Sequence, residues 1–500
     1  MMASGARATR RSLSRWTSAR ALASALAALS LSAVGREAAA QAPPLPESVT
    51  IGAFTFRPSI EVRVRGEARV HAADGGGQVY ASSAILSGVP SQPLPPVLGT
   101  ESAVDTQFAV AERSRIGLTV EGGPVTGVLV LQDARAVRSF QPVFTLAGEP
   151  ALPSLAPLEA YVDLHARSGR RMSLRVGRQR VTWGDGRLIS EDDWSPTARS
   201  LDAVRASIAI GDVDIEAMGA LLSAPLTLVS STNFDPKAQV ISTYAQLYGL
   251  DVTWRFLPLL NVELTGLARI ARDPTPTWLV PSDTYVADMR LFGDYRGFRY
   301  AVEGAYELGH IIRSTSESDV ALNGLALAAR AGLETSLPLH LTFEAEGAFA
   351  TGGLGAPGSP AAATRFDPIF PDTHTSLSPM NMFAWSNIIT VGGDVRMKLV
   401  DELGLQVGYR FAMLANPQDR WSTAELVPVG ASSSTSSTAS PTLGHEIDAA
   451  LKLSPYRGLE FTGGYGLFVY GDRAREILES AGRSAGLGHW AYLQTTFHAP

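Results

Sequence analysis

Residues 172–207 of the chain read MSLRVGRQRVTWGDGRLISEDDWSPTARSLDAVRAS. At the start of this stretch the apolar side chains of Leu174 and Val176 alternate with polar ones such as Arg175. A polar, acidic loop follows, and residues 201–205 then resume the alternation. Because successive side chains of a β-strand point to opposite faces, the pattern indicates two strands joined by a long loop, each with one apolar and one polar face.

The same period-two alternation recurs along most of the chain. Near the beginning, Ile60, Val62 and Val64 alternate with Glu61 and Arg63. Strands with one apolar and one charged face are typical of a barrel with lipid outside and water inside. The sequence therefore predicts an all-β fold, a single transmembrane antiparallel β-barrel of about eighteen strands. The predicted strands are 54–70, 104–121, 124–137, 157–167, 172–183, 201–210, 213–223, 243–256, 259–270, 283–295, 298–312, 320–335, 339–350, 385–399, 403–414, 443–454, 458–470 and 487–497.

The predicted connections give an independent test, because long and short ones alternate strictly. Two-residue turns such as 122–123 and 211–212 separate long loops such as 184–200 and 351–384. Short periplasmic turns and long extracellular loops are the pattern of outer-membrane barrels. We therefore expect the protein to reside in a bacterial outer membrane.

The N-terminal residues have the pattern of a cleaved signal peptide, which we assign to residues 1–40. Residues 41–53 are a proline-rich lead-in, and residues 54–497 form the predicted barrel. Removal of the signal changes the formal charge from −6 to about −11, which argues against a nucleic-acid partner. The chain contains no cysteine, so disulfides and cysteine-based sites are excluded.

Arginine supplies nearly all the positive charge, since lysine occurs at only three positions. If the apolar faces meet lipid, the arginines of the polar faces line the lumen, where fixed cations attract anions and hold carboxylates through paired hydrogen bonds. Acidic residues on the same faces are about as numerous, so pairing within the wall is expected for most single arginines. The predicted pore-lining residues are Arg63, Arg65, Arg113, Arg115, Arg175, Arg178, Arg205, Arg290 and Arg410.

Two arginines do not fit the alternation. Leu174 and Val176 define the lipid face of their strand, and simple alternation places Arg178 and Arg180 on that face too. An arginine at the bilayer midplane costs about 2–4 kcal/mol, and less near the interface. We therefore predict a β-bulge near Gly177 that returns at least one of them to the lumen; the alternative is a position at the headgroup rim.

Four acids are concentrated in the loop of the opening stretch, at Asp185, Glu191, Asp192 and Asp193. Carboxylate oxygens suit calcium, but the spacing fits no calcium-loop motif. A solvated loop is the preferred interpretation.

Five tryptophans lie near predicted strand ends, which suits aromatic girdles at the membrane interfaces. Packing within the loops is the alternative for two of them, Trp278 and Trp421. The five are Trp194, Trp278, Trp385, Trp421 and Trp490.

No enzymatic motif occurs in the context that its chemistry requires. Residues 482–486 (GRSAG) match the Gly-x-Ser-x-Gly pattern, but they lie in the predicted loop 471–486 and not between a strand and a helix as a nucleophile elbow does, and the sequence contains no paired-histidine metal motif. We therefore expect a protein that is not an enzyme and needs no cofactor.

Three blocks of sequence carry a family pattern. They comprise Gly177-Arg178-Gln179, Gly184-Asp185, Arg187-Leu188, Asp192-Asp193-Trp194, Arg199-Ser200 and Asp202-Ala203-Val204-Arg205; then Phe366-Asp367-Pro368-Ile369-Phe370-Pro371 with His374 and Asn387; and finally Leu443-Gly444-His445-Glu446-Ile447-Asp448 with Gly463-Gly464-Tyr465-Gly466. On these blocks the chain resembles the alginate-export family of outer-membrane barrels, from Ile60 to Phe497.

The resemblance implies an eighteen-stranded barrel with an arginine-lined pore for an anionic polysaccharide or other organic anions. Every periplasmic turn is short, so no periplasmic plug is available. A gate is therefore expected from the outer loops 71–103, 184–200 or 351–384.

We expect a passive, anion-selective channel that exports an alginate-like polysaccharide or passes organic anions. One alternative is a general porin for uptake of small organic solutes, and another is a non-conducting barrel with adhesive or binding loops. The expected partners are the anionic cargo, outer-membrane lipid and periplasmic export components, and a monomer is favoured. The sequence does not determine the cargo or the direction of transport.

Overall fold

The computed structural model of the protein describes residues 47–72, 106–138, 155–166, 171–222, 245–271, 282–311, 319–353, 363–374, 377–424, 426, 428–429, 440–480 and 484–500. Residues 1–40 lie outside these ranges, so the signal peptide stays a prediction. Loop 71–103, one of the expected gates, lies almost wholly outside them, and so does Trp278.

The described chain consists of antiparallel strands and one short helix. Within it, no helix is long and apolar enough to cross a membrane. The elements are β1 (Val49–Ile51), β2 (Phe54–Val70), β3 (Thr106–Gly122), β4 (Val125–Arg138), β5 (Ala156–His165), β6 (Arg171–Gln179), β7 (Leu201–Ile210), β8 (Val213–Leu221), β9 (Ala245–Leu257), β10 (Leu260–Ala271), β11 (Ser282–Tyr295), β12 (Phe298–Ile311), β13 (Val320–Glu334), β14 (Thr342–Ala350), β15 (Ile388–Val400), β16 (Leu403–Met413), β17 (Trp421–Ser422), β18 (Pro428–Val429), β19 (Thr442–Tyr456), β20 (Leu459–Tyr470), α1 (Asp472–Ser480) and β21 (Gly488–Ala499).

Eighteen of these strands form a closed ring, so the predicted fold class is confirmed. Each ring strand pairs with the next one along the chain, and β16 pairs with β19 across the loop that contains β17 and β18. Pairing of β2 with β21 closes the ring, with Val62 opposite Phe497. Closure leaves no open sheet edge within the membrane, as a spanning sheet requires.

The side-chain alternation of the strands matches the two environments of the wall. On β2, Val62 and Val64 are exposed on the outer face, whereas Arg63 and Arg65 are buried on the inner face. The period of two therefore sorts apolar residues to the lipid and charged residues to the lumen.

The short elements β1, β17, β18 and α1 are additions to the predicted set of strands. β1 lies within the predicted lead-in and pairs with the periplasmic end of β2, Ile51 opposite Phe54. β6 ends at Gln179, four residues before the predicted end of that strand at residue 183. The loop after it therefore begins at residue 180.

The β-bulge predicted near Gly177 is wrong. The ladders of β6 with both neighbours run through this residue without a register shift, with Tyr161 on one side and Ala203 on the other. Gly177 instead adopts φ +127°, a conformation that other residues rarely adopt. A Cβ atom at this position would lie 2.2 Å from the carbonyl oxygen of Ala160.

Replacing Gly177 with alanine is expected to destabilise the barrel by about 1–3 kcal/mol, because the new methyl group meets backbone atoms in a strained conformation. The measurement is the temperature at which the folded band of the purified protein is lost on a semi-native gel. Gly127→Ala is the matched control, because a Cβ at Gly127 meets no atom within 4 Å. Equal transition temperatures for the two variants would contradict the argument.

Of the five tryptophans predicted to form girdles, four lie in the described residues, and the prediction is wrong for all four. Trp385, Trp421 and Trp490 are 1–3% exposed and face inward, and Trp194 is half-buried in the lumen. Exposed aromatic residues on the outer face are mainly tyrosine and phenylalanine, and include Tyr248, Trp254, Phe256, Tyr306, Phe343, Tyr409, Tyr465 and Phe497.

Candidate transport pathway

The loop between β6 and β7 folds into the lumen, and we call residues 183–195 the crossbar. One end of the crossbar is anchored to β10 and β11. Gly184 N donates to Glu263 Oε1 at 3.0 Å, and the Asp185 carboxylate lies 2.6 Å from Arg290 Nη2. Positive φ angles at Gly184 and Gly186 allow the tight turn that presents Asp185 to this wall.

The anchoring continues on β12, β13 and β14. Arg187 of the crossbar lies 3.4 Å from Glu303 and 2.5 Å from Glu346. Asp185 also pairs with Arg330 on β13 at 2.9 Å. Arg187 is 4% exposed, so its ion pairs with Glu303 and Glu346 are shielded from water.

The other end of the crossbar meets the opposite wall. The Asp193 carboxylate lies 3.2 Å from Arg113 and 2.8 Å from Arg115, both on β3. β3 and β12 are nine strands apart in the ring of eighteen and therefore face each other. The nine residues from Asp185 to Asp193 thus carry the chain across the lumen.

A second inward segment, residues 363–374 and 377–387, comes from the loop between β14 and β15. It joins the crossbar through a parallel bridge between Ile189 and Phe370, in which Ser190 N donates to Phe370 O at 2.9 Å. Arg199 donates to the same carbonyl at 2.5 Å. Of the three expected gates, 184–200 and 351–384 therefore supply residues to the lumen.

The inward segments share a hydrophobic core. Phe370 and Trp421 are both 1% exposed, and Trp385 is packed edge-on against Phe366 at a centroid distance of 5.3 Å. Burial of such large aromatic surfaces fixes the loops against the inner face of the wall. The alternative proposed for the tryptophans, packing within the loops, describes Trp421.

The four acids of the loop are engaged by other side chains of the protein. Asp192 is 1% exposed and accepts a hydrogen bond from Thr373 Oγ1 at 2.7 Å. Glu191 pairs with Arg180 at 2.9 Å. Among the described residues no group of three or more metal-binding side chains occurs. The solvated-loop interpretation is therefore wrong for Asp185 and Asp192, whose side chains are largely buried, whereas those of Glu191 and Asp193 are paired with arginines and stay 36% and 41% exposed.

Eight of the nine predicted pore-lining arginines lie on inner faces, and each pairs with an acid. Arg175 pairs with Asp163, Arg205 with Glu216, and Arg290 with Glu263. Arg410 lies between Asp394 and Asp448, at 2.8 and 2.6 Å. The remaining four, Arg63, Arg65, Arg113 and Arg115, meet the crossbar.

Arg178 is the exception, and its assignment to the pore is wrong. It is the residue before the last of β6 and points to the outer face, where it pairs with Asp202 at 3.3 Å and donates to Ser200 Oγ. Pairing on the outer face removes the need for a bulge. Arg180 reaches lumenal Glu159 at 3.1 Å because β6 has already ended.

The two facing walls differ in charge. The β2–β3 wall carries five buried arginines with three acids in contact: Arg63, Arg65, Arg69, Arg113 and Arg115 with Glu61, Glu67 and Asp193. The β9–β12 wall has the opposite excess. It carries five buried acids, Asp251, Glu263, Asp288, Glu303 and Glu307, against three arginines in contact, which are Arg269 and Arg290 of the wall and Arg187 of the crossbar. A field therefore runs across the lumen at the level of the crossbar.

Burial and neighbouring charges shift the pKa values of three loop residues. Although burial alone would raise it, the pKa of Asp193 is held well below its usual range by Arg113, Arg115 and Arg63. Burial, with Asp192 nearby, raises the pKa of Asp372 to about 7. Burial lowers the pKa of His374 to about 4, so this imidazole is neutral at neutral pH.

Comparison with known proteins identifies the family. Residues 95–486 match the sequence profile of the family described as alginate export, which is more than half of the chain. The chain belongs to the alginate export family. It is an outer-membrane channel and not an enzyme. No curated protein sequence matches it.

Solved structures of Occ channels share the fold of this alginate export family member. OccAB1 of Acinetobacter baumannii has a TM-score of 0.52 and 8% identity, over 89% of this chain and 96% of that chain. OccK5 (OpdH) of Pseudomonas aeruginosa has a TM-score of 0.50 and 10% identity, over 89% of this chain and 98% of that chain.

The sequence analysis did not predict the roles of two arginines in the pathway. Arg187 and Arg199 appeared only as parts of a family motif, yet they hold the crossbar to the wall and to the second segment. A signal was present, because Arg187 and Arg199 lie in the same loop as the four acids. Opposite charges within one loop favour pairing of some of these acids over free solvation.

Proposed function

We propose that this member of the alginate export family is a passive, anion-selective channel whose cargo is an anionic polysaccharide of the alginate type or smaller organic anions. The observation that carries the proposal is the excess of arginine on the β2–β3 wall beside the crossbar, five arginines against three acids. Fixed cations at a narrow point raise the local concentration of anions.

The opposite wall supports a polyuronate over a simple anion. A uronate chain carries a carboxylate and several hydroxyl groups on each sugar. Its carboxylates suit the arginines of the β2–β3 wall, and its hydroxyl groups can donate to acids such as Asp288 and Glu303. The transverse charge separation therefore fits the two faces of such a polymer.

The acidic wall also supports a second candidate, a general porin for small organic solutes. Buried acids on β9–β12 attract cationic or hydroxyl-rich solutes that a purely basic pore would not favour. A non-conducting barrel with binding loops is the third candidate, and it predicts an absence of current.

The test is the reversal potential of the purified protein in a planar bilayer under a salt gradient. The expected result is preferential permeation of chloride over potassium, with reversible block by alginate trisaccharides. Maltotriose, a neutral sugar of the same length, is the matched control and should not block. Cation selectivity or block by both sugars would favour the general porin, and no current would favour the binding barrel.

A further inference from the structure

We propose that Arg63, Arg113 and Arg115 form a carboxylate-binding subsite that Asp193 of the crossbar occupies in this structure, and that a carboxylate of the cargo enters by displacing Asp193. The inference rests on the proposed passage of anions and adds to it the site of first capture. In this proposal Asp193 competes with the carboxylate of the cargo for the same three arginines.

The contacts of Asp193 are those of a bound carboxylate. Its two oxygens lie 3.2 Å from Arg113, 2.8 Å from Arg115 and 3.7 Å from Arg63. Its carbonyl oxygen accepts from Arg63 Nη1 at 2.7 Å and from Arg113 Nη1 at 2.9 Å. Three guanidinium groups converging on one carboxylate form a preorganised anion site.

The burial of the partners differs in a way that permits exchange. The side chains of Arg63, Arg113 and Arg115 are 2–8% exposed, whereas the Asp193 side chain is 41% exposed. The cations therefore lie at the bottom of the site and the carboxylate at its opening. A solute that reaches the crossbar meets Asp193 first.

The charge balance requires an anion at this position. Glu61 on β2 pairs with Arg113 and lies 3.5 Å from Arg115. Glu67 is used by Arg65 and Arg69, at 3.7 and 2.9 Å. If Asp193 leaves, three buried arginines therefore share the single charge of Glu61. Leaving buried charges uncompensated is strongly unfavourable, so one carboxylate must replace another.

Displacement at this end leaves the other end anchored. Asp185 remains paired with Arg290 and Arg330, and Ile189 remains bridged to Phe370, so only the end of the crossbar at Asp193 has to move. Trp194 follows Asp193 in the chain and lies between Arg65, at 4.0 Å, and His374, at 3.7 Å. Release of Asp193 would disturb this stack and change the fluorescence of Trp194.

The experiment measures binding of alginate trisaccharide to the detergent-solubilised barrel by calorimetry. In Asp193→Asn the competitor is neutral, and we expect the affinity to rise about 10- to 100-fold over the original protein, the factor for a site that is free only about 1–10% of the time. Asp202→Asn is the matched control, because it removes an acid paired with an arginine on the outer face. Its affinity should equal that of the original protein.

Two further measurements locate the site. Adding Arg113→Gln to Asp193→Asn should abolish the gain in affinity. In the original protein the trisaccharide, but not maltotriose, should change the fluorescence, and Trp194→Phe should remove that change. A gain that survives Arg113→Gln, or an Asp193→Asn variant that binds no more tightly than the control, would overturn the subsite.

The result can be separated from that of the bilayer experiment, since calorimetry requires no current. Tighter binding by Asp193→Asn in a cation-selective channel would retain the subsite and overturn the proposed selectivity. Anion selectivity with unchanged binding would overturn the subsite alone.

Discussion

Replacing Arg187 with glutamine is expected to release the crossbar from the β12–β14 wall. Arg187 is the counter-ion of Glu303 and Glu346, and all three side chains are 4–9% exposed. Removing one partner of a buried ion pair costs about 3–5 kcal/mol, because the remaining charge has no compensation. The population of detached crossbar should therefore rise on the order of a hundredfold or more.

The release is measured in two ways. Hydrogen exchange of residues 183–195 should accelerate, and single-channel records should show larger and more variable currents. The control is Arg135→Gln. Arg135 pairs with Asp133 on the outer face, and the Arg135 side chain is 70% exposed, so its replacement should change neither readout. Unchanged exchange in Arg187→Gln would show that the hydrophobic core of the inward segments holds the crossbar without this ion pair.

Asp372 and His374 are expected to make opposing contributions to the pH dependence of the second inward segment. The pKa of Asp372 is raised from its ordinary 3.8 to about 7, so its contribution to the docked segment is complete below pH 4 and is lost as the pH rises to 7. The pKa of His374 is lowered from 6.5 to about 4, so its contribution is complete above pH 6.5 and is lost as the pH falls.

Between about pH 4 and 6.5 the pH dependences of the two contributions have opposite signs and nearly cancel. Replacing one of the two residues should therefore expose the pH dependence that the other one causes. In Asp372→Asn the free energy that holds the segment in its docked position should decrease as the pH falls, because His374 binds a proton more readily when the segment is detached. In His374→Gln the same free energy should decrease as the pH rises, because Asp372 ionises more readily when the segment is detached and the carboxyl group is in water. Either change should reach about 2–4 kcal/mol across the window.

The measurement is hydrogen exchange of residues 363–374 at several pH values, corrected for the intrinsic exchange rate. The original protein should show little dependence on pH in this window, and the two variants should show slopes of opposite sign. Slopes of the same sign would contradict the assignment of the two shifts to the docked state.

The strands could be predicted from the sequence because their signal is local. Lipid and water impose opposite requirements on neighbouring residues, so the alternation of β2 or β7 is visible without any knowledge of the partner strand. Strand β13 was predicted although neither of its faces is cleanly polar. The alternation of long and short connections on either side of it required a strand at that place in the chain.

The organisation of the lumen could be predicted only in part. The inner-face arginines follow from alternation, but their partners come from distant parts of the chain: Arg63 and Asp193 are 130 residues apart, and Arg69 and Met380 are 311 residues apart. No local pattern indicates such contacts. Arg178 was misassigned because the energetic argument against lipid exposure ignored Asp202 on the adjacent strand.

The tryptophans were misassigned for a related reason. Their positions near strand ends fit both a membrane girdle and an internal core, and amphipathicity alone cannot separate these environments. The core exists because loops with Phe370 and Trp385 return into the barrel, which depends on tertiary packing.

The crossbar also joins parts of the chain that are far apart in sequence. Its contact with Arg113 spans 80 residues, and the contact of Arg187 with Glu346 spans 159. Closure of the ring between β2 and β21 spans almost the whole barrel, with Val62 opposite Phe497. Because the entropy cost of closing a loop grows with the number of residues it encloses, the contact of the crossbar with the β2–β3 wall is the least costly of the three to form.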